Sequence, residues 1–376
     1  MIYLDNAATT FPKPKCVAAE MKRCIQKYCG NPGRSSHTLS LAAAMKIYEC
    51  RCEIASMFGS NSPENVVFTY NTTYALNMAI KSLIKPGAHV LISDLEHNSV
   101  FRPVHKLTKA ERISYDIFPT HNGNKEKILA GITSLIKKET SMLVCTHASN
   151  ICGIVLPIEE IGALCRANNI TFIVDAAQSA GLYDIDIKKM NIDVLCAPGH
   201  KALYGPQGVG FLLAADNLRF DSFIEGGSGM NSLDREMPDY LPERMEGGTL
   251  STPCIAGLCE GIKTVKNLGP DMIRQKEAAL AKKAAEMLQN IKGLTLYAPD
   301  HLDTGTLSFN IKEKKGGDIA SRLNTAGICV RSGFHCSPLA HATLNTGDDG
   351  AVRLSIGWFN KERDIEKLYK TLKDII

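Results

Sequence analysis

An α/β protein built on a mostly parallel sheet, followed by a smaller α+β layer, is the fold that the sequence predicts. Three observations carry it. Short apolar runs alternate with longer amphipathic ones up to about residue 265, the pattern of strands joined by helices. Polar residues gather directly after the apolar runs, where open α/β sheets bind their ligands. Beyond residue 265 the texture changes to one long Ala/Lys/Glu-rich helix followed by mixed short elements.

Amphipathic stretches at 17–29 and 39–58 read as the first helices. The run Val66-Val-Phe-Thr69 is a strand, and 74–84 is the helix after it. Apolar runs at 89–93, 142–146, 171–174, 194–196 and 208–213 supply further strands, with a helix at 157–168. Residues 228–248 are rich in glycine, proline and charge and read as a loop, and 251–268 as a helix. The smaller layer holds a helix at 272–292, strands at 294–297, 305–310, 328–330 and 352–355, and helices at 319–325 and 362–376. A boundary is expected within 250–268, which gives a large unit over 15–260 and a small one from 1–14 with 261–376.

Composition excludes several classes. The chain is 44% hydrophobic and 22% charged, and 43 basic against 39 acidic residues leave a net charge of only +4. That balance argues against nucleic acid or an anionic membrane as partner. No apolar run approaches the roughly 18 residues of a membrane span, and the start lacks the basic and apolar regions of a signal peptide, so a cytoplasmic location is expected. The 13 cysteines are scattered without a CxxC pair or a zinc-like spacing, so they are expected reduced and free of metal. Cys50 and Cys52 read as two positions of one helix, while Cys145, Cys196 and Cys329 read as buried small hydrophobes.

The residues after each strand carry the chemistry. Thr72 and Thr73 follow the first strand at a helix start. They suit a phosphate there, or one is a plain N-cap. His97 follows the next strand, where a lone histidine is usually structural. His147-Ala-Ser-Asn150 follows the third. Asp175 closes the fourth and either caps a helix or meets a cationic ring. Lys201 stands between an apolar strand and the glycine-rich turn Gly205–Gly210. A lysine so placed cannot easily reach water, and burial would lower its pKa into the range of an amine nucleophile. Together, a lysine, a carboxylate and a phosphate-binding helix start match the needs of pyridoxal 5'-phosphate. The glycine-rich turn is no dinucleotide fingerprint, because it precedes a strand.

With these residues in place the chain resembles the class V, fold-type I pyridoxal-phosphate enzymes. It is most similar to the group II (SufS-like) cysteine desulfurases and selenocysteine lyases. The likeness runs from Tyr3-Leu-Asp-Asn-Ala-Ala8 to the last helix and rests on Glu96-His97, Val174-Asp-Ala-Ala-Gln178, Gly199-His-Lys201 and Arg331-Ser-Gly-Phe-His-Cys336. It implies a seven-stranded sheet in the large unit. It implies that Lys201 holds the cofactor, Asp175 pairs with the pyridine nitrogen, Gln178 lies by the 3′-oxygen, and His97 stacks on the ring and relays protons. Thr73 and His200 would hold the phosphate, and Thr249 would reach the partner subunit's cofactor, which implies a homodimer. Asn150, Arg331 and Arg353 would clamp the substrate carboxylate, a task for which a planar guanidinium fork is suited.

Cys336 falls where that family keeps its sulfur-accepting thiol. It lies close in sequence to Arg331, His335 and His341, and positive neighbours favour a thiolate. The other reading is an incidental thiol among thirteen. The resemblance implies conversion of L-cysteine to L-alanine, with sulfur left on Cys336 as a persulfide for an acceptor protein. The alternative is release of selenium from L-selenocysteine, which makes less demand on Cys336. A catalytically silent scaffold is a third reading, opposed by the intact Lys201, Asp175, His97 and Arg353. The chain departs from the family's pattern at Pro198, where a small hydroxyl residue is common, at Phe334, and in Ser337–His341.

Overall fold

The computed structural model describes residues 1–33, 36–216, 218–230 and 233–375. In chain order come strand β1 (Ile2–Tyr3), helices α1 (Lys15–Lys27) and α2 (Thr38–Met57), β2 (Val66–Thr69), α3 (Thr72–Leu83), β3 (Ala88–Ser93) and α4 (Asn98–Lys109). They continue with β4 (Ile113–Phe118), α5 (Lys125–Leu135), β5 (Thr140–Thr146), α6 (Ile158–Ala167), β6 (Thr171–Asp175), β7 (Val194–Pro198), β8 (Gly210–Ala214), α7 (Thr252–Leu268) and α8 (Pro270–Leu288). The remainder is β9 (Leu294–Tyr297), β10 (Thr306–Ile311), α9 (Gly316–Thr325), β11 (Ile328–Cys329), β12 (Arg331–Gly333), α10 (Pro338–Thr343), β13 (Ala351–Ser355) and α11 (Glu362–Ile375).

The main sheet has seven strands in the order β2-β8-β7-β6-β5-β3-β4. Strand β8 runs antiparallel to both neighbours and the remaining pairs are parallel. The continuous hydrophobicity of these strands has a direct cause. Phe172 and Val174 of β6 pack into one core and Ile173 into another, on opposite faces, because side chains alternate across a strand and helices cover both sides. A second, antiparallel sheet has the order β12-β13-β10-β9. Its own core joins Leu307, Phe309 and Leu354 to Leu280 and Leu288 of α8 and to Leu368 and Leu372 of α11.

Five elements escape the sequence reading: β1, α4, β4, α5 and α10. Strand β4 lies at the sheet edge, pairs with β3 alone and buries only its ends fully, so its mixed polarity hid it. Helix α4 contains Pro103, a residue that usually marks a boundary. The expected strand at 328–330 is two short strands on different sheets, β11 paired with β1 and β12 with β13. Cys145 and Cys196 are buried as expected, whereas Cys329 is only half-buried, in the short β11. Residues 231–232 of the expected loop and residue 376 of the last helix lie outside the described residues.

Candidate active site

The parallel strands end level with one another, with Thr146 opposite Asp175 and Asp175 opposite Cys196. Beyond these ends, against the second sheet, lies a cavity of about 200 Å³. It gathers Thr72, Thr73, His97, Asn150, Asp175, Gln178, His200, Lys201, Arg331, Cys336 and Arg353. Of the residues singled out from the sequence, Thr249 alone lies elsewhere, exposed beside other grooves.

Lys201 follows β7 in a turn backed by β8. At Gly210 in β8, a Cβ atom would stand 2.9 Å from the carbonyl oxygen of Ala197 and 3.0 Å from the backbone of Asn71. Glycine at 210 thus lets β8 lie close to both β7 and the N-cap residue of α3. Desolvation pulls the Lys201 pKa down to about 8, against the opposing pull of Asp175. Asp175 is 2% exposed and accepts a hydrogen bond from the Ala177 amide at 2.9 Å. Burial raises its pKa, so the carboxylate would gain from a cationic ring nitrogen beside it.

At α3 the plain N-cap reading of the threonines is overturned. Asn71 is the cap, its side chain accepting from the Tyr74 amide at 3.0 Å. Thr72 Oγ1 is left buried without a partner, as is His200 Nδ1. Both belong to cavity-lining residues, Thr72 at the start of α3 and His200 in the turn after β7, so these orphaned polar atoms fit a phosphate. Pro198 lines the same wall and adds no hydroxyl.

His97 caps α4. Its Nδ1 lies 3.0 Å from the Ser99 amide and 2.8 Å from Ser99 Oγ. Because Nδ1 accepts from an amide, the ring's proton sits on Nε2. Desolvation lowers its pKa to about 4, and Lys201 adds to the shift, so the imidazole is neutral near pH 7. Glu96 beneath it is fully buried, accepts from Ser93 Oγ and from the Thr146 amide at 2.8 Å, and is pushed by burial to about 8. It ties the ends of β3 and β5 together. Gln178 donates its amide to the Ala7 carbonyl at 3.1 Å, anchoring the N-terminal segment to the cavity wall.

Arg353, 1% exposed, crosses from the second sheet. Its Nη2 lies 2.6 Å from Asp5 Oδ1 and its Nη1 donates to the Asn150 carbonyl at 3.0 Å, while Nε has no partner. Without Asp5 a buried guanidinium would cost several kcal/mol, so the pair holds the charge at the cavity. Arg331 stands opposite Arg353 in the β12–β13 register. Asp5 was legible only as part of a motif, since its partner lies 348 positions away. Asn150 donates Nδ2 to the His335 carbonyl at 3.0 Å and accepts from Ser337 Oγ at 2.7 Å. One amide hydrogen and one lone pair remain for a substrate.

Cys336 is exposed at the cavity, with φ 60°, after His335 at φ 50°. Two consecutive left-handed non-glycine residues cost about 1 kcal/mol or more each and need restraint. The Asn98 amide supplies part of it, donating to the Cys336 carbonyl at 2.7 Å. One sequence expectation is corrected here. His335 and His341 lend Cys336 no positive charge, because burial lowers their pKa values to about 3 and about 4. Near pH 7 the cations on the cavity wall are the two arginines and whatever fraction of Lys201 is protonated.

Comparison with known proteins adds the following. The sequence model of the family described as Aminotransferase class-V matches residues 2–368. A probable cysteine desulfurase of Methanothermobacter thermautotrophicus is 32% identical, over 100% of this chain and 94% of its own. One of Pyrococcus abyssi is also 32% identical, with the same coverage. Among solved structures, the apo structure of a cysteine desulfurase from Thermococcus onnurineus aligns with TM-score 0.91 and 29% identity, over 100% of this chain and 94% of that one.

Proposed function

The chain belongs to the class-V aminotransferase family, and from that premise we propose that it is a pyridoxal-phosphate-dependent cysteine desulfurase of the group II kind. The observation that carries this reading is one cavity holding Lys201, Asp175 and His97 together with the thiol of Cys336 and the guanidinium of Arg353. Thr72, Thr73 and His200 would hold the cofactor's phosphate, Asp175 its ring nitrogen, Gln178 its 3′-oxygen and Lys201 its aldehyde carbon. When bound, the cofactor supplies an electron sink for negative charge at the substrate's α-carbon.

The protein's own groups do the rest. Arg353 and Arg331 receive the carboxylate of L-cysteine, with Asn150 beside them. The Lys201 amine, once free, would take the α-proton as general base. Neutral His97 presents Nε2–H to the cavity and steadies charge there. Cys336 Sγ then attacks the substrate sulfur. A sulfur–sulfur bond forms, the Cβ–S bond breaks, and its electron pair stays on the carbon side. Protonation of that carbon and return of a proton to the α-carbon from Lys201 yield alanine, and the persulfide on Cys336 waits for an acceptor.

We further propose that the chain acts as a homodimer in which Thr249 reaches the neighbouring site, and that it hands sulfur to an acceptor protein. It divides into a large unit over 15–260 and a small one over 1–14 and 261–376. It works in the cytoplasm. No described helix is long and apolar enough to cross a membrane.

Alanine release from L-cysteine and from L-selenocysteine, measured side by side with a reductant, tests the function. Turnover of L-cysteine at a rate equal to or above that of selenocysteine is expected. Release from selenocysteine alone would replace the reading with a selenium-releasing lyase. A second expectation concerns pH. Lys201 is protonated below its folded pKa of about 8 and neutral above it. The rate at which cofactor-free protein develops its yellow absorbance with pyridoxal phosphate should therefore rise with pH and level off above 8. An ordinary surface lysine would still be gaining near 10.4.

A further inference from the structure

We propose that His341 is a positioning residue for Cys336, acting through a one-way chain of hydrogen bonds that locks the neighbouring His335. The inference rests on the desulfurase reading above and deepens it.

The chain's direction follows from one carbonyl. His335 Nε2 lies 3.3 Å from the Arg331 carbonyl oxygen, which only accepts, so Nε2 carries the ring's hydrogen. His335 is neutral, so its Nδ1 has a bare lone pair. That nitrogen lies 3.2 Å from His341 Nε2, which must donate. His341 Nδ1 is then the acceptor for Thr346 Oγ1 at 2.7 Å. Every member is satisfied in one arrangement, and His335 and His341 are 5% and 2% exposed.

The chain closes a ring in the fold. His335 begins the left-handed stretch that contains Cys336, and His341 sits on α10 after it. Phe334 stands edge-on to His341 at 5.3 Å, filling the outer side. The backbone carbonyls of His335 and Cys336 are held by Asn150 and Asn98. The side chain of His335 is held between His341 and the Arg331 carbonyl. Removing the His341 tie leaves the ring held at one nitrogen and lets the strained pair relax, and Cys336 Sγ loses its aim at the cavity while Lys201 is untouched. His341 lies within the stretch where this chain departs from the family's usual pattern.

The test uses loaded enzyme and three variants. In His341→Leu the chain is broken. In His341→Gln the amide Nε2 still donates to His335. In Thr346→Val the far end is cut. Two readouts are taken: the rate at which iodoacetamide alkylates Cys336, followed by mass of its peptide, and alanine formation set against solvent-deuterium exchange at the substrate's α-carbon. His341→Leu is expected to speed alkylation and slow alanine formation by about tenfold, the order that loss of a buried hydrogen bond gives, with KM and α-exchange unchanged. Thr346→Val should move both the same way by less, and His341→Gln should restore wild-type values. The inference is overturned if His341→Leu behaves as wild type, if His341→Gln is equally impaired, or if α-exchange falls alongside alanine. Alkylation needs no turnover. Wild type that makes no alanine from cysteine, yet shows the expected alkylation pattern, would sink the desulfurase reading and leave this inference standing.

Discussion

Lys201→Ala is expected to lower alanine release from L-cysteine by at least about 10³-fold, within the range that a lost general base commands. Two properties of the native side chain set the size of this effect. Its ammonium is held at about 8, so near pH 7.5 roughly a quarter of the amines are neutral, against about one in a thousand for an unperturbed lysine of pKa 10.4. It also lines the cavity from the turn that follows β7, so the base is presented at one place. Arginine at 201 should be no better than alanine, because its guanidinium stays charged. The phosphate contacts proposed for Thr72 and His200 do not involve Lys201, so the variant is expected to bind the cofactor while losing the absorbance of the lysine-linked form. A Lys201→Ala protein that retains even a few per cent of wild-type alanine release would remove Lys201 from the role of base.

The parallel core was legible in the sequence because its strands bury both faces. Phe172, Ile173 and Val174 read as one apolar run although they serve two cores. Edge strand β4 shares neither property, and it was missed. At the site, Asp175 and Lys201 stood out because each follows an apolar strand run, whereas His97 in its polar stretch read as structural and was singled out only by the family resemblance. The residues that act from across the fold were harder. Asp5 holds Arg353, and the two are brought together by the bridge of Asp5 to Ser355 at the end of β13 rather than by any spacing. Charge state was the least legible property. His335 and His341 looked like positive neighbours of Cys336, yet burial keeps them neutral, and burial of a polar loop is not written in its composition. The N-cap of α3 was misread for a related reason: Asn71, Thr72 and Thr73 can all cap a helix, and the backbone chose Asn71.

Cys336→Ser is the second large effect. Desulfuration of L-cysteine should fall by at least about 10²-fold, because the departing sulfur then has no nucleophile to receive it. The loss should be selective. In the proposed mechanism cofactor absorbance and α-proton exchange rest on Lys201, Asp175 and His97, none of which bonds to Cys336, so both should persist. Turnover of L-selenocysteine should persist in large part, since selenium leaves carbon more readily than sulfur does. No other cysteine among the described residues lines the cavity, so no second thiol stands ready to substitute. The two arginines remain as fixed positive charge on the cavity wall. A serine hydroxyl in place of the thiol stays protonated near pH 7 and gives them no anion to stabilise. Full alanine release from L-cysteine by this variant would mean that sulfur leaves without a protein thiol, and Cys336 would revert to one thiol among thirteen. Loss of turnover on both substrates, with α-exchange intact, would instead place Cys336 in the protonation of the leaving atom rather than in its capture.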